Sequence, residues 1–153
     1  MAIVSLKYTC QESPQTLNEG LVEYYARNPG LLAPERMPAH AARLFREHDA
    51  AHVVFGCDTT IRGETLIDSW TIFATTVGLR GYLEYFRLPQ VNQIFTQTGY
   101  LRIAIELVRC FPDVIRIMWR SRRLSEKWSW QDHERYLDSP LCDVRAQFSI
   151  RIV

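Results

Sequence analysis

No stretch of this 153-residue chain approaches the roughly 20 consecutive apolar residues that a membrane-spanning helix requires. Cysteine is sparse. Cys10, Cys57, Cys110 and Cys142 stand far apart with no CxxC pairing. That spacing does not suit a cysteine-based zinc module, and reduced, mostly buried thiols are expected. A chain of this length buries about two-thirds of its unfolded surface and needs no disulfide staple. An excess of one charge is missing too. The net charge of +1 argues against a general nucleic-acid binder, which usually carries a strongly basic face. The opening residues, MAIVSLKYTC, lack the charged start, apolar run and small-residue cleavage site of a secretory signal. They also lack the Arg-rich amphipathic character of a transit peptide, so a cytoplasmic protein is expected. Internal repeats, low-complexity tracts and obvious linkers are absent, which favours a single domain over residues 1–153.

What is present is helical punctuation. Thr16 and Glu19 form a capping-box pattern that opens a helix running to about Arg27 and stopping at Asn28-Pro29-Gly30. A second helix is expected from near Pro38 to just before Gly56, with Ala41, Leu44, Phe45, Ala51 and Phe55 at helical spacing. A third runs from about Gly63 to Phe86 on a stripe of Leu66, Ile67, Trp70, Phe73, Ala74 and Val77, weakened by Gly78 and Gly81. A fourth follows Pro89, with Val91, Ile94, Phe95, Leu101 and Ile105 inward, and ends near Phe111-Pro112. A fifth covers Asp113 to about Lys127, and two short helices follow over 131–137 and 140–148. Period-two alternation is confined to a possible N-terminal strand and the closing FSIRIV. The expected fold is mostly α: a helical bundle of about five main helices plus short C-terminal ones.

The chemistry concentrates in HDAAHVVFGCDTTIRGE, from His48 to Glu64. His48 and His52, four residues apart, lie one turn apart on one helical face, where two imidazoles can share a metal ion. That face also carries Leu44, Phe45 and Phe55, so both rings point toward the core and need partners there. Asp49 is rotated by about 100° from His48 and reaches either the metal or a ligating histidine. Glu64 follows His52 after eleven residues, and the turn-forming Gly56, Asp58, Thr59, Thr60 and Gly63 would fold it back beside His52. Two histidines with one or two carboxylates suit zinc, and also iron(II) or manganese, with a coordination position left open. Glu64 and Asp49 are the expected catalytic carboxylates. Cys57 is placed outside the ligand set, Asp58 reads as a turn residue, and Asp68 as a solvated or ligand-orienting carboxylate. His40 and His133 read as surface or capping residues.

This pattern, His48-Asp49-x-x-His52, eleven residues, then Glu64 preceded by Gly63, resembles the metal motif of the ubiquinone (coenzyme Q) biosynthesis protein family numbered fourth in its pathway. The ending PLCDVRAQFSI is similar to that family's closing pattern. The resemblance implies a helical protein that binds zinc or a similar divalent ion and acts on polyprenylated benzoquinone precursors. The implied reaction is oxidative decarboxylation at ring carbon one, replacing a carboxyl by a hydroxyl. It also implies an organising role among other quinone-biosynthesis proteins and leaves a homodimer open. The family's chains are usually longer, which leaves room for a different lipid or quinone substrate.

The stretch RIMWRSRRLSEKWSW, residues 116–130, is basic and aromatic. Arg116, Arg120, Arg122, Arg123 and Lys127 would face anionic headgroups, with Trp119, Trp128 and Trp130 at the interface of a membrane's inner face. A solvated charged face with packed tryptophans is the plainer alternative. Two other functions compete with a quinone-pathway enzyme. One is a non-catalytic lipid-binding scaffold with a structural metal. The other is a metal hydrolase, disfavoured because Asp49 is one methylene shorter than the glutamate of His-Glu-x-x-His.

Overall fold

The computed structural model describes residues 6–31, 38–87 and 100–153. Their order is a 3-10 helix (Lys7–Thr9), α1 (Leu17–Arg27), α2 (Ala39–Phe55), α3 (Ile61–Ala74), α4 (Gly78–Phe86), α5 (Tyr100–Ser121), a second 3-10 helix (Trp130–Tyr136) and α6 (Leu141–Phe148). The fold is mostly α, as the periodicity indicates. Among the described residues no strand forms, and the only β pairing is two isolated bridges, Thr16 with Pro140 and Thr75 with Trp128.

The N-terminal elements form where their caps place them. The Thr16 hydroxyl accepts from the Glu19 N–H at 3.1 Å, and the Thr16 N–H donates to Glu19 Oε2 at 2.9 Å, so the capping box is complete. Pro38 precedes α2, and Gly56 closes it at φ +67°, a left-handed position that a side chain rarely tolerates.

α2 is the central helix. It meets α1, α3, α6 and both 3-10 helices, and every residue from Glu47 to Phe55 is buried. A helix buried all round its second half must satisfy any polar group there internally, which sets the problem that the candidate site solves. Around it lie Tyr8, Leu17, Tyr24, Ile67, Trp70, Trp128, Trp130 and Leu141, all essentially inaccessible. Phe55 stacks on Trp70 with centroids 4.8 Å apart. Each such burial contributes on the order of 1.5–3 kcal/mol.

One buried charge organises the C-terminal end of α2. Arg145, in α6, is fully buried and makes no ion pair among the described residues. Its guanidinium donates instead to the carbonyls of Val53 and Val54 at 2.9 and 2.8 Å, of Tyr8 at 2.6 Å, of Gln11 at 3.2 Å, and of Cys10. Burial depresses its pKa to about 10, yet the partial negative charge at the end of α2 and three further carbonyls hold the cation. Gln11 acts as a surrogate strand for the tail. Its amide donates to the Ile150 carbonyl at 3.0 Å and accepts from the Ile152 N–H at 2.9 Å.

Several boundaries differ from the sequence reading. The single helix expected from Gly63 to Phe86 breaks at Thr75, which is extended (φ −116°, ψ 166°). The Trp128 N–H takes the Ala74 carbonyl at 2.9 Å and the Thr76 N–H takes the Trp128 carbonyl at 2.9 Å, so a long-range pairing overrides local helix propensity. The expected stop at Phe111-Pro112 does not occur. α5 continues through Pro112 to Ser121, merging the fourth and fifth expected helices and ending short of Lys127. Pro112 is exposed and Val108, whose carbonyl loses its helical donor, is 74% exposed, so water can take that donor's place. Leu101 and Ile105, expected inward, are exposed. The expected start of the fourth helix, including Val91, Ile94 and Phe95, lies outside the described residues. Of the segment expected as a possible N-terminal strand, residues 1–5 lie outside the described residues and Lys7–Thr9 forms a 3-10 helix, while FSIRIV is irregular after Phe148. Trp128 and Trp130, expected at an interface, are core residues, whereas Trp119 is exposed with Arg122 over its ring at 5.0 Å. No described helix is long and apolar enough to cross a membrane.

Candidate metal centre

His48 and His52 stand on the buried half of α2, with ring centroids 4.7 Å apart and planes at 78°. Tyr24 borders His52 at 5.3 Å and Trp130 borders His48 at 5.7 Å. The turn after α2 orients His52. A carbonyl oxygen can only accept, so the 3.1 Å contact between His52 Nδ1 and the Cys57 carbonyl places a proton on Nδ1. Nε2 is then the nitrogen that faces the site. It is fully buried, and the Glu64 carboxylate lies beside it.

Glu64 arrives from the first turn of α3. The Asp58 carboxylate accepts from the Thr60 N–H at 3.0 Å and from its hydroxyl at 2.6 Å, which makes Asp58 a turn residue. The Thr60 hydroxyl in turn caps the Gly63 N–H at 3.1 Å. This brings Glu64 Oε2 to 3.4 Å from His52 Nε2. The contact is ionic rather than a directed hydrogen bond, so both atoms face a shared space. Ligand atoms of His48, His52 and Glu64 all lie within 4.8 Å of one another. A tetrahedral ion with bonds of about 2.0–2.1 Å separates its ligands by roughly 3.3–3.4 Å. The His52–Glu64 edge already has that length. The wider edges can close through Glu64, whose side chain is 43% exposed and has room to move. His48, His52 and Glu64 thus form a possible metal-binding site.

Gly63 is needed for this approach. A Cβ at that position would overlap both the Asp58 carbonyl oxygen and its Oδ1. Because one clash is with backbone, Gly63→Ala is expected to cost about 1–3 kcal/mol and to displace Glu64. A denaturation midpoint equal to that of the wild type would show the loop to be freer than the contact implies.

The titration behaviour fits a cation site. Burial, assisted by the charge on His52, lowers the His48 pKa to about 3, so His48 is neutral and has a lone pair to donate. At His52 burial also opposes charge, but the carboxylates of Glu64 and Asp49 outweigh it and raise the pKa to about 9. Without a cation, His52 itself carries the positive charge that Glu64 demands. Burial works against ionised Glu64, yet the adjacent His52 holds its pKa below the ordinary value.

Asp49 is placed differently. Tyr24 donates to its Oδ1 at 3.2 Å and Tyr25 to its Oδ2 at 3.0 Å, so both oxygens are engaged from α1. It is not one of the three residues whose ligand atoms converge. Burial raises its pKa to about 6 against the pull of His52 and the two tyrosines. Asp68, one turn beyond Glu64, is raised to about 7 by desolvation, tempered by the Tyr82 hydroxyl.

The remaining sequence candidates are accounted for locally. Cys57 contributes its carbonyl, while its buried thiol donates to the Phe55 carbonyl at 3.6 Å. All four cysteines are free; Cys57 and Cys110 are buried, Cys142 is half-buried and Cys10 is exposed. His40 is exposed. His133 is buried rather than superficial, and its Nδ1 makes a 3.0 Å local bond to the Trp130 carbonyl. Sequence reasoning missed Tyr24 and Tyr25 as partners of Asp49. The available signal was Tyr24 at helical spacing from Leu17 and Gly20 on the buried face of α1.

No family model matches this chain, and neither does any curated protein or solved structure. The fold and the site therefore define a mostly helical chain with a possible His-His-Glu metal centre.

Proposed function

We propose that the chain holds one divalent cation between His48, His52 and Glu64 and acts there on an anionic organic substrate. The observation that carries this reading is His52 Nε2, fully buried, turned into the site by the Cys57 carbonyl, 3.4 Å from Glu64 and beside a second histidine. Without an ion the protonated His52 pairs with Glu64, and a divalent cation would replace that proton between the same atoms. Zinc suits the ligand set, with iron(II) and manganese as alternatives. When bound, the ion supplies a Lewis acid. The Cys57 carbonyl fixes the tautomer of His52, His48 remains neutral, and Glu64 closes the site from its solvent side. Asp49, braced by Tyr24 and Tyr25, supports the charge at His52 and is available to exchange a proton.

The narrower proposal is a ubiquinone-biosynthesis protein that decarboxylates and hydroxylates ring carbon one of a polyprenylated hydroxybenzoate. Its support is the motif formed by His48, Asp49, His52 and Glu64. Access to a membrane-dissolved substrate, at the inner face of the membrane, is supported by the exposed Leu101, Val108, Phe111 and Trp119 on α5. Association with other quinone-biosynthesis proteins belongs to the same proposal. The test is turnover under air by metal-loaded protein, read by mass spectrometry as loss of a carboxyl and gain of a hydroxyl. Turnover that disappears in Glu64→Gln is the expected result. A metal-loaded protein that binds the lipid without converting it would instead be the non-catalytic scaffold.

A further inference from the structure

The residues that follow α6 come to rest against the turn that orients His52. Ser149 ends α6 in the left-handed conformation at φ 57°. Side chains, rather than a helix or sheet, then hold the backbone of residues 150–152. Gln11 takes the Ile150 carbonyl at 3.0 Å and the Ile152 N–H at 2.9 Å. Arg120 donates to the carbonyls of Arg151, at 3.0 Å, and of Ile152. These bonds decide where the Ile152 side chain lies, and it lies on Gly56. A Cβ at Gly56 would stand 3.1 Å from Ile152 Cδ1 and 3.3 Å from its Cγ2, with the Thr9 Cα at 3.5 Å on the chain's other end. Gly56 is thus confined by contacts as well as by its positive φ. Cys57 follows it at once and is tied to His52 twice. Its N–H donates to the His52 carbonyl at 2.9 Å, and its own carbonyl accepts from His52 Nδ1 at 3.1 Å. Planar peptide units join Gly56 to the Cys57 carbonyl, so a shift of the glycine carries that oxygen away from the ring. The ring then loses the bond that turns Nε2 toward Glu64, 3.4 Å away.

We propose that Ile152, strapped in place by Gln11 and Arg120, is a positioning residue for the metal centre, holding the Gly56–Cys57 turn so that the Cys57 carbonyl fixes the His52 ring. The inference rests on the metal reading above and deepens it. A ring already fixed in its ligating orientation loses no rotational freedom when the ion arrives. Ile152 is partly buried against the core. Core packing alone would make it matter to stability and to nothing else. Its contact with Gly56 makes it matter to His52 as well.

The test reads two quantities in the full chain: zinc affinity, and solvent exchange of the His52 Nδ1 proton, followed by NMR in the metal-free protein. Ile152→Ala removes the contact with Gly56 and keeps every backbone bond of the strap. Ile152→Val removes only Cδ1, the atom nearest Gly56, and serves if the alanine variant does not fold. Leu17→Ala is the control, since Leu17 is fully buried and sits at the start of α1, its N–H on the Ser139 carbonyl at 3.0 Å. Ile152→Ala is expected to bind zinc about tenfold more weakly, the lower end of the range for groups behind a ligand. Its Nδ1 proton should exchange about tenfold faster, because its hydrogen bond opens more often. Ile152→Val should fall between, and Leu17→Ala should stay within about twofold of the wild type in both quantities. Wild-type values in both isoleucine variants overturn the assignment. So does an equal loss of zinc affinity in Leu17→Ala, or faster proton exchange with unchanged zinc affinity. A wild type that takes up no zinc defeats the metal reading and the assignment with it, and the metal-free proton exchange separates that outcome from a failure of the Ile152 contact alone.

Discussion

Arg145→Met is expected to destabilise the protein by about 3–5 kcal/mol, because a buried hydrogen-bond network loses its donor and several carbonyls lose a charged partner at once. Methionine matches much of the aliphatic volume but leaves the carbonyls of Tyr8, Cys10, Gln11, Val53 and Val54 without the guanidinium that joins them. Each buried acceptor left unpaired costs about 1–3 kcal/mol, while the favourable removal of a buried cation offsets part of that sum. Set against a total stability of roughly 5–15 kcal/mol, the loss is severe. In a chain of this length it corresponds to a fall in Tm of about 10 °C, since 1 kcal/mol moves Tm by roughly 2–4 °C. Arg145→Lys is expected to recover only a fraction, because a single ammonium cannot span the end of α2 and the N-terminal segment together. Thermal unfolding checks both variants, and a methionine variant melting within about 2 °C of the wild type would show that the carbonyls find other partners.

The second large effect belongs to the site. His52→Ala removes the ligand nitrogen that the Cys57 carbonyl orients and Glu64 approaches. Structural zinc sites bind with about 10–16 kcal/mol at neutral pH, and sharing this among three or four ligands assigns each about 3–4 kcal/mol. The expected loss of affinity is therefore on the order of a hundredfold to a thousandfold. Asp49→Asn serves as the comparison. If Asp49 acts by supporting His52 while held by Tyr24 and Tyr25, the loss should be about 10–100-fold, the range for residues behind the ligands. Competition with a coloured chelator measures both. Equal losses in the two variants would place Asp49 on the ion itself. Unchanged affinity in His52→Ala would remove His52 from the site.

The physical division between legible and illegible features is clear in particular residues. Thr16 with Glu19 and Pro38 with Gly56 act within one helical turn, so their effect on α1 and α2 is visible in the chain itself. The His48–His52 pair is equally local, and the turn residues from Gly56 to Gly63 make the return of Glu64 readable. The break at Thr75 was not readable, because it depends on hydrogen bonds to Trp128, some fifty residues away. Pro112 misled for the opposite reason. Its local rule is sound, but the exposed side of α5 lets water satisfy the carbonyl the proline abandons. Arg145 gives no sequence signal of its role, since its partners are backbone carbonyls that any residue supplies. The tyrosines around Asp49 are hidden likewise, because pairing α1 with α2 is a tertiary event.

The central claim is that His48, His52 and Glu64 hold a divalent ion, and metal content tests it most directly. Protein stripped with a chelator, reloaded with zinc and dialysed should retain one ion per chain by elemental analysis. His48→Ala, His52→Ala and Glu64→Ala should each retain none above background while still showing the helical circular dichroism of the wild type. A wild-type protein that keeps no metal, or one whose metal survives all three substitutions, would contradict the account.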